Sequence, residues 1–301
     1  MIAPRIESVR VRLLADHRAL IAELERAARQ MRRRTDERAV HDVRVAIRRL
    51  ESALDLLKPL TRPRARRRAR RALRSLRRSL APARDVRITL QLLADRQAGF
   101  PPAARVLSQQ LEERLGSRLH VLERRAARRC ARAEIDRVRR RFERVWREPP
   151  FAEVADPALL EPAHARLTRR AARAVAALER ATAEAEPGAL HDARIQAKRW
   201  RYALERHAAA TADSDRSDQR WLKQIQDALG EIQDFTILRE RVKRLSGQSA
   251  GRASDAAALR LLLESCETDR DRAVLEFRRL AITRDHGRQP PPPAVAPFQR
   301  F

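Results

Sequence analysis

The sequence predicts an all-α protein made of two tandem, pseudo-symmetric four-helix bundles around a basic central groove. Three observations predict it. Only seven glycines occur in 301 residues, and β-branched runs are few while Ala, Leu, Arg and Glu abound, a composition that favours helix nearly throughout. Turn-forming clusters divide the chain into helix-sized segments. A stretch in the first half also recurs in the second without a gap, VHDVRVAIRRLESAL at 40–54 against LHDARIQAKRWRYAL at 190–204, an offset of 150 residues.

In chain order, breaks are expected at 58–63, 99–102, 149–162, 187–188, 211–218 and 247–254, where Pro, Gly and short polar residues cluster. Eight helical segments are expected in all, four before residue 150 and four after it. A second internal match, LRRSLAPARDV at 76–86 against IQDALGEIQDF at 225–235, extends the duplication. The first repeat is placed at about 5–148, the second at about 160–283, and together they make one domain over 1–284. The four successive prolines in the final residues, 285–301, cannot sit in a helix and read as an extended, disordered tail.

Lys and Arg number 67 against 40 Asp and Glu, a net charge of +27, which destabilises a compact chain unless an anion offsets it. The expected partner is therefore a polyanion, and composition fixes its sign without its identity. Cys130 and Cys266 stand far apart with no metal-ligand spacing, so neither a disulfide framework nor a zinc site is expected. The N-terminus lacks the apolar core of a signal peptide, and no apolar run is long enough to cross a membrane. A cytoplasmic protein that does not engage membranes is expected.

Helical arithmetic locates the charge. With His41 at 0°, Arg44 falls at about 300° and Arg48 at about 340°, whereas Val43, Ile47, Leu50, Leu54 and Leu57 gather at roughly 160–240°. The second copy repeats this, with His191, Arg194, Lys198 and Tyr202 on one side and Trp200 and Leu204 on the other. Arg49 and Arg199 flank the two stripes at about 80°. A single basic stripe on an amphipathic helix is ordinary solvation, but two at identical spacing in diverged surroundings favour binding. The two histidines either contact the anion or bridge helices.

The next segment carries ten arginines in the seventeen residues 62–78, of which Arg67, Arg71, Arg74 and Arg78 form a stripe opposite Leu73, Leu76 and Leu80. In the second repeat Lys223 takes the place of Arg74, but Asp227 takes that of Arg78, so the second wall is less basic. Asp85 and Asp234 correspond to one another, and their expected role is structural, holding arginine forks in place behind the ligand.

HDVRVAIRRL and HDARIQAKRW, each followed by a helix ending in PARDV or EIQDF, resemble the CHAD family, the conserved histidine α-helical domain. The resemblance covers roughly 11–281. It implies two four-helix bundles that bind inorganic polyphosphate in a basic central groove and associate with polyphosphate granules. The family motif falls on His41, Arg44, Arg48 and Arg49, and again on His191, Arg194, Lys198 and Arg199. The departures are Trp200, where leucine is usual, and Asp227 in one groove wall. The ExExK strand of the triphosphate tunnel domain fused to some members is absent, which implies a stand-alone binding module with no catalytic residue, cofactor or metal.

Two other readings compete. Weak, non-specific nucleic-acid binding fits the charge, although three Trp, one Tyr and seven Phe, mostly at core positions, leave no stacking platform for single strands. A metal phosphohydrolase is raised by the His41-Asp42 and His191-Asp192 dipeptides with His17 and His164 upstream, and opposed by the arginines around them.

Overall fold

The computed structural model describes residues 8–283 except 101, 150, 152, 154–156, 212–216 and 247–252. The proline-rich tail lies outside the described residues. Among those described, the chain forms nine α-helices and no strand: α1 (Val9–Arg33), α2 (Glu37–Leu56), α3 (Pro63–Arg96), α4 (Pro102–Arg129), α5 (Arg132–Arg147), α6 (Leu160–Glu184), α7 (Pro187–Thr211), α8 (Ser217–Ser246) and α9 (Ala253–Ile282). The all-α prediction holds, with one correction: five helices rather than four precede residue 150.

The missed boundaries have local causes. Between α1 and α2 the Thr35 hydroxyl returns to the Met31 carbonyl at 2.9 Å, and Asp36 caps α2 by accepting from the Ala39 N–H at 2.8 Å. Between α4 and α5 the chain turns at Cys130 and Ala131 with neither glycine, proline nor a side-chain cap. That turn is held from outside, by the Arg32 guanidinium donating to the Cys130 carbonyl at 2.8 Å.

Three cores organise the helices. The first joins α1, α2, the start of α3 and α5, with Ala203 and Ala210 from the end of α7 completing it. His17 is buried there, stacked on Trp146 at 3.8 Å between ring centres, and burial drives its pKa down to about 3. The second core joins α6, α7, the start of α8 and the end of α9. The third lies between the far halves of the long helices, with Ala83, Val86 and Leu93 of α3 meeting Leu111 and Leu119 of α4, Leu238 and Val242 of α8, and Leu262 and Cys266 of α9. Pro82 sits inside α3 where that helix passes from the first core to the third, a point at which one backbone hydrogen bond is given up. Both cysteines are free and buried, with burial raising Cys130 to about 12 and Cys266 to about 11.

Among the described residues no helix is long and apolar enough to cross a membrane.

Candidate functional site

α2 and α7 carry the duplicated motif, and they pack directly against each other where the two repeats meet. α2 buries its apolar face in the first core and α7 buries Leu190, Ala193, Ala197 and Trp200 in the second, so the remaining polar faces confront one another, flanked by α3 and α8. Between them opens a cleft of about 300 Å³. Arg48 of α2, Arg74 and Arg77 of α3, and Arg194, Lys198 and Tyr202 of α7 line it, together with Arg70, Arg170 and Arg199.

Some of these cations are already matched. Asp55 at the foot of α2 accepts from Arg166 at 2.7 Å and from Arg170, with Arg70 at 3.8 Å, and Glu51 lies 3.4 Å from Arg77. Arg44, Arg48, Arg74, Arg194, Lys198 and Arg199 make no ion pair among the described residues. Arg44 is only 8% exposed, and its Nη1 is buried without a partner, as are Nε of Arg194 and Oδ1 of Asp234.

The electrostatics record the crowding. Burial, Arg48, Arg194 and Arg84 together push Lys198 from the ordinary 10.5 down to about 6, against partial relief from Asp234. Burial followed by Arg48 and Arg84 brings Arg44 down to about 9. Arg194 is lowered chiefly by burial, and Asp234 is raised by burial despite Arg84, Arg194 and Lys198 beside it. Two like charges about 6 Å apart at an effective dielectric of about 20 repel by roughly 3 kcal/mol. Five such groups with only Asp85 and Asp234 among them form a centre that an anion would stabilise.

Placement of the other motif residues varies. His41 and His191 are exposed and stand outside the cleft wall, His41 with its pKa lowered chiefly by the partial desolvation of its ring, His191 with Nδ1 3.0 Å from the Gln233 side chain. Arg49 turns away toward Glu23 at 2.6 Å and Glu205 at 3.5 Å; burial lowers its pKa, but these carboxylates outweigh it and the net shift is upward. Tyr202 is 5% exposed beneath the Arg201 guanidinium, 4.6 Å from its ring centre. Lys223 is exposed and paired with Asp227 at 2.8 Å. Asp85 lies 3.9 Å from Arg84.

On α3 the stripe read from the sequence and the cleft wall coincide only at Arg74. Relative to the core residue Leu73, Arg70, Arg74 and Arg77 lie about 40–100° round the helix, whereas Arg67, Arg71 and Arg78 lie about 120–160° round and are exposed. The cleft is thus built on the shoulder of the core stripe, not opposite it. Sequence reasoning also missed Arg84, which directly precedes Asp85 in PARDV, and Asp55 with Arg166 and Arg170 of α6, for which no motif gave a signal.

The hydrolase residues do not assemble. His17 is packed against Trp146, His164 faces His207 with 5.6 Å between ring centres, and among the described residues no group of three or more His, Cys, Asp or Glu could hold a metal ion.

The family description "CHAD domain" matches residues 15–243. Among solved structures the chain is similar to PptA from Streptomyces chartreusis, at 18% identity over 91% of this chain and 99% of that one with a TM-score of 0.69. It is also similar to the CHAD domain from the plant Ricinus communis, at 18% identity over 94% and 93% of the two chains with a TM-score of 0.64. No curated protein matches. At such identities the structural likeness is one of fold, while the family match spans both repeats of the motif, and the chain belongs to the CHAD family.

Proposed function

We propose that this chain binds inorganic polyphosphate in the cleft between α2, α3 and α7 without turning it over, and that it organises or joins polyphosphate granules. Membership of the CHAD family supports a polyphosphate-related role. The observation that carries the finer reading is the meeting of Arg44, Arg48, Arg194 and Lys198, two from each repeat, where burial and then the neighbouring Arg48, Arg194 and Arg84 bring Lys198 down to about 6. Arg48, Lys198 and Arg74 contact phosphate oxygens, Arg44 and Arg194 supply charge from behind, and Asp85 and Asp234 orient the forks. Each charge-assisted bond is worth about 1.5–3 kcal/mol before desolvation is subtracted.

Size and chemistry favour a bare phosphate chain over nucleic acid. A duplex with a major groove about 12 Å wide does not enter a cleft of about 300 Å³. The one aromatic in the wall, Tyr202, is buried under Arg201, leaving no ring for a base to stack on.

The test is a titration of the full chain with long-chain polyphosphate and with duplex DNA of matched charge, at near-physiological and raised salt, beside the double variant Arg48→Ala/Lys198→Ala. Polyphosphate is expected to bind more tightly than DNA, with the variant losing that preference. Equal competition by DNA, unchanged in the variant, would mean that diffuse charge alone accounts for binding.

A further inference from the structure

The first bundle closes as a ring in which α1 meets α2, α2 meets α3, α3 meets α5 and α5 returns to α1. The central cleft opens on the α2–α3 side. On the opposite side, α5 and α1 enclose a second hollow of about 490 Å³ over the buried side chain of Ile135.

Its walls are Glu25, Arg29 and Arg32 of α1 and Arg132, Asp136 and Arg139 of α5, four guanidinium groups against two carboxylates. The carboxylates are committed to α5. Glu25 lies 3.6 Å from Arg139, and Asp136 lies 3.8 Å from Arg139 and 4.0 Å from Arg132. Arg29 has no carboxylate among the described residues, and Arg32 spends one N–H on the Cys130 carbonyl. Spaced i and i+3, these two forks project from neighbouring turns of one helix face, about 5–6 Å apart at Cβ. α5 begins at this rim without a side-chain cap, so its first N–H groups add to the same field. Basic residues in the last turn of α1 also suit that helix's dipole, but this does not explain the facing arginines of α5.

We propose that this hollow is a second phosphate-binding site, which makes the protein bivalent for polyphosphate. The site stands on its own geometry and rests on the preceding reading only for the identity of its ligand. The two sites lie on opposite faces of one bundle, and packed helices stand about 8–10 Å apart axis to axis. A three-phosphate chain therefore cannot span them, while a long chain held in one leaves the other free to take a different chain. Bridging of chains by single molecules follows, which is what condensing the polymer requires.

Calorimetry of the full chain with inorganic tripolyphosphate at near-physiological salt tests this. Two sites per chain are expected, with Arg29→Ala/Arg32→Ala removing one and Arg48→Ala/Lys198→Ala removing the other. With long-chain polyphosphate the outer variant is expected to bind but to scatter several-fold less light than the parent. Arg29→Glu is a further check, because Arg29 is exposed and its exchange leaves the bundle core untouched. Parental stoichiometry and scattering in both outer variants overturn the proposal. Loss of one site in the outer variants with none lost in the central variant sustains it and overturns the central cleft instead.

Discussion

The two repeats use the same positions with different chemistry. In the first, Glu51 of α2 reaches Arg77 of α3 at 3.4 Å; in the second, the equivalent residues are Arg201 of α7 and Gln226 of α8, joined at 3.1 Å. The bridge between the two helices is retained, with the arginine moved to the other helix and the carboxylate replaced by a neutral amide. Arg84 of the first repeat corresponds to Gln233 of the second, which is spent on His191. Arg74, free in the cleft wall, corresponds to Lys223, which Asp227 neutralises outside it. The site is therefore two-fold at its centre, where Arg44 and Arg48 meet Arg194 and Lys198, and one-sided at its wall, where α3 does what α8 does not.

The strongest way to break this comparison is to remove one central cation from each repeat. Arg48→Ala/Lys198→Ala is expected to weaken polyphosphate binding by about 100-fold, since two charge-assisted bonds from separate helices are lost and their effects add. The single variants should each cost about 10-fold, read by calorimetry, if the centre is symmetric.

The wall separates the repeats more sharply. Arg74→Ala should lower affinity roughly 5- to 10-fold and reduce the salt slope by about one unit, while Lys223→Ala should leave both unchanged within error. Equal losses would mean that α8 takes part in binding as α3 does.

The centre should also trade stability for binding. Arg44→Met keeps the stem and removes a buried charge with an unpartnered Nη1, so the free protein is expected to gain about 1–3 kcal/mol in chemical denaturation while binding weakens.

A smaller effect comes from pH. Lys198 has a folded-state value of about 6 against an ordinary 10.5, so between those limits the unfolded chain holds more protons than the folded one. The stability of the free protein is therefore expected to rise with pH from about 6 to 10, because the unfavourable charging of Lys198 is complete below 6. Bound polyanion restores the proton, so affinity should run the other way and fall over the same interval. Thermal melts with and without ligand, repeated on Lys198→Met, check both signs.

How much of this could be read in advance depended on the type of signal. The helices, the duplication and the central residues were legible because periodicity and the repeated HD-containing motif act on neighbouring positions. The turn at Cys130 and Ala131 was not, since its stabilising contact comes from Arg32, nearly a hundred residues earlier in the chain. The arginines of α3 were legible as a group but not in orientation. Which of them face the cleft depends on how α3 is rotated by α5 and α4, and a helical wheel of one segment cannot contain that rotation. Asp55, Arg166 and Arg170 were invisible for the same reason, being a contact between α2 and α6 with no local pattern in either.

The third core carries a consequence for how the protein is made. Its apolar residues on α3 and α4, Leu93, Leu111 and Leu119 among them, find their remaining partners only on α8 and α9. At roughly 5–20 residues per second, the ribosome delivers Leu238 some ~6–24 s after Leu119. For that interval the nascent first repeat carries an uncovered apolar surface, and its own bundle waits for Ala203 and Ala210 of α7. A half-length chain should accordingly behave as a sticky, incomplete fragment, for all that its sequence looks like a self-sufficient unit.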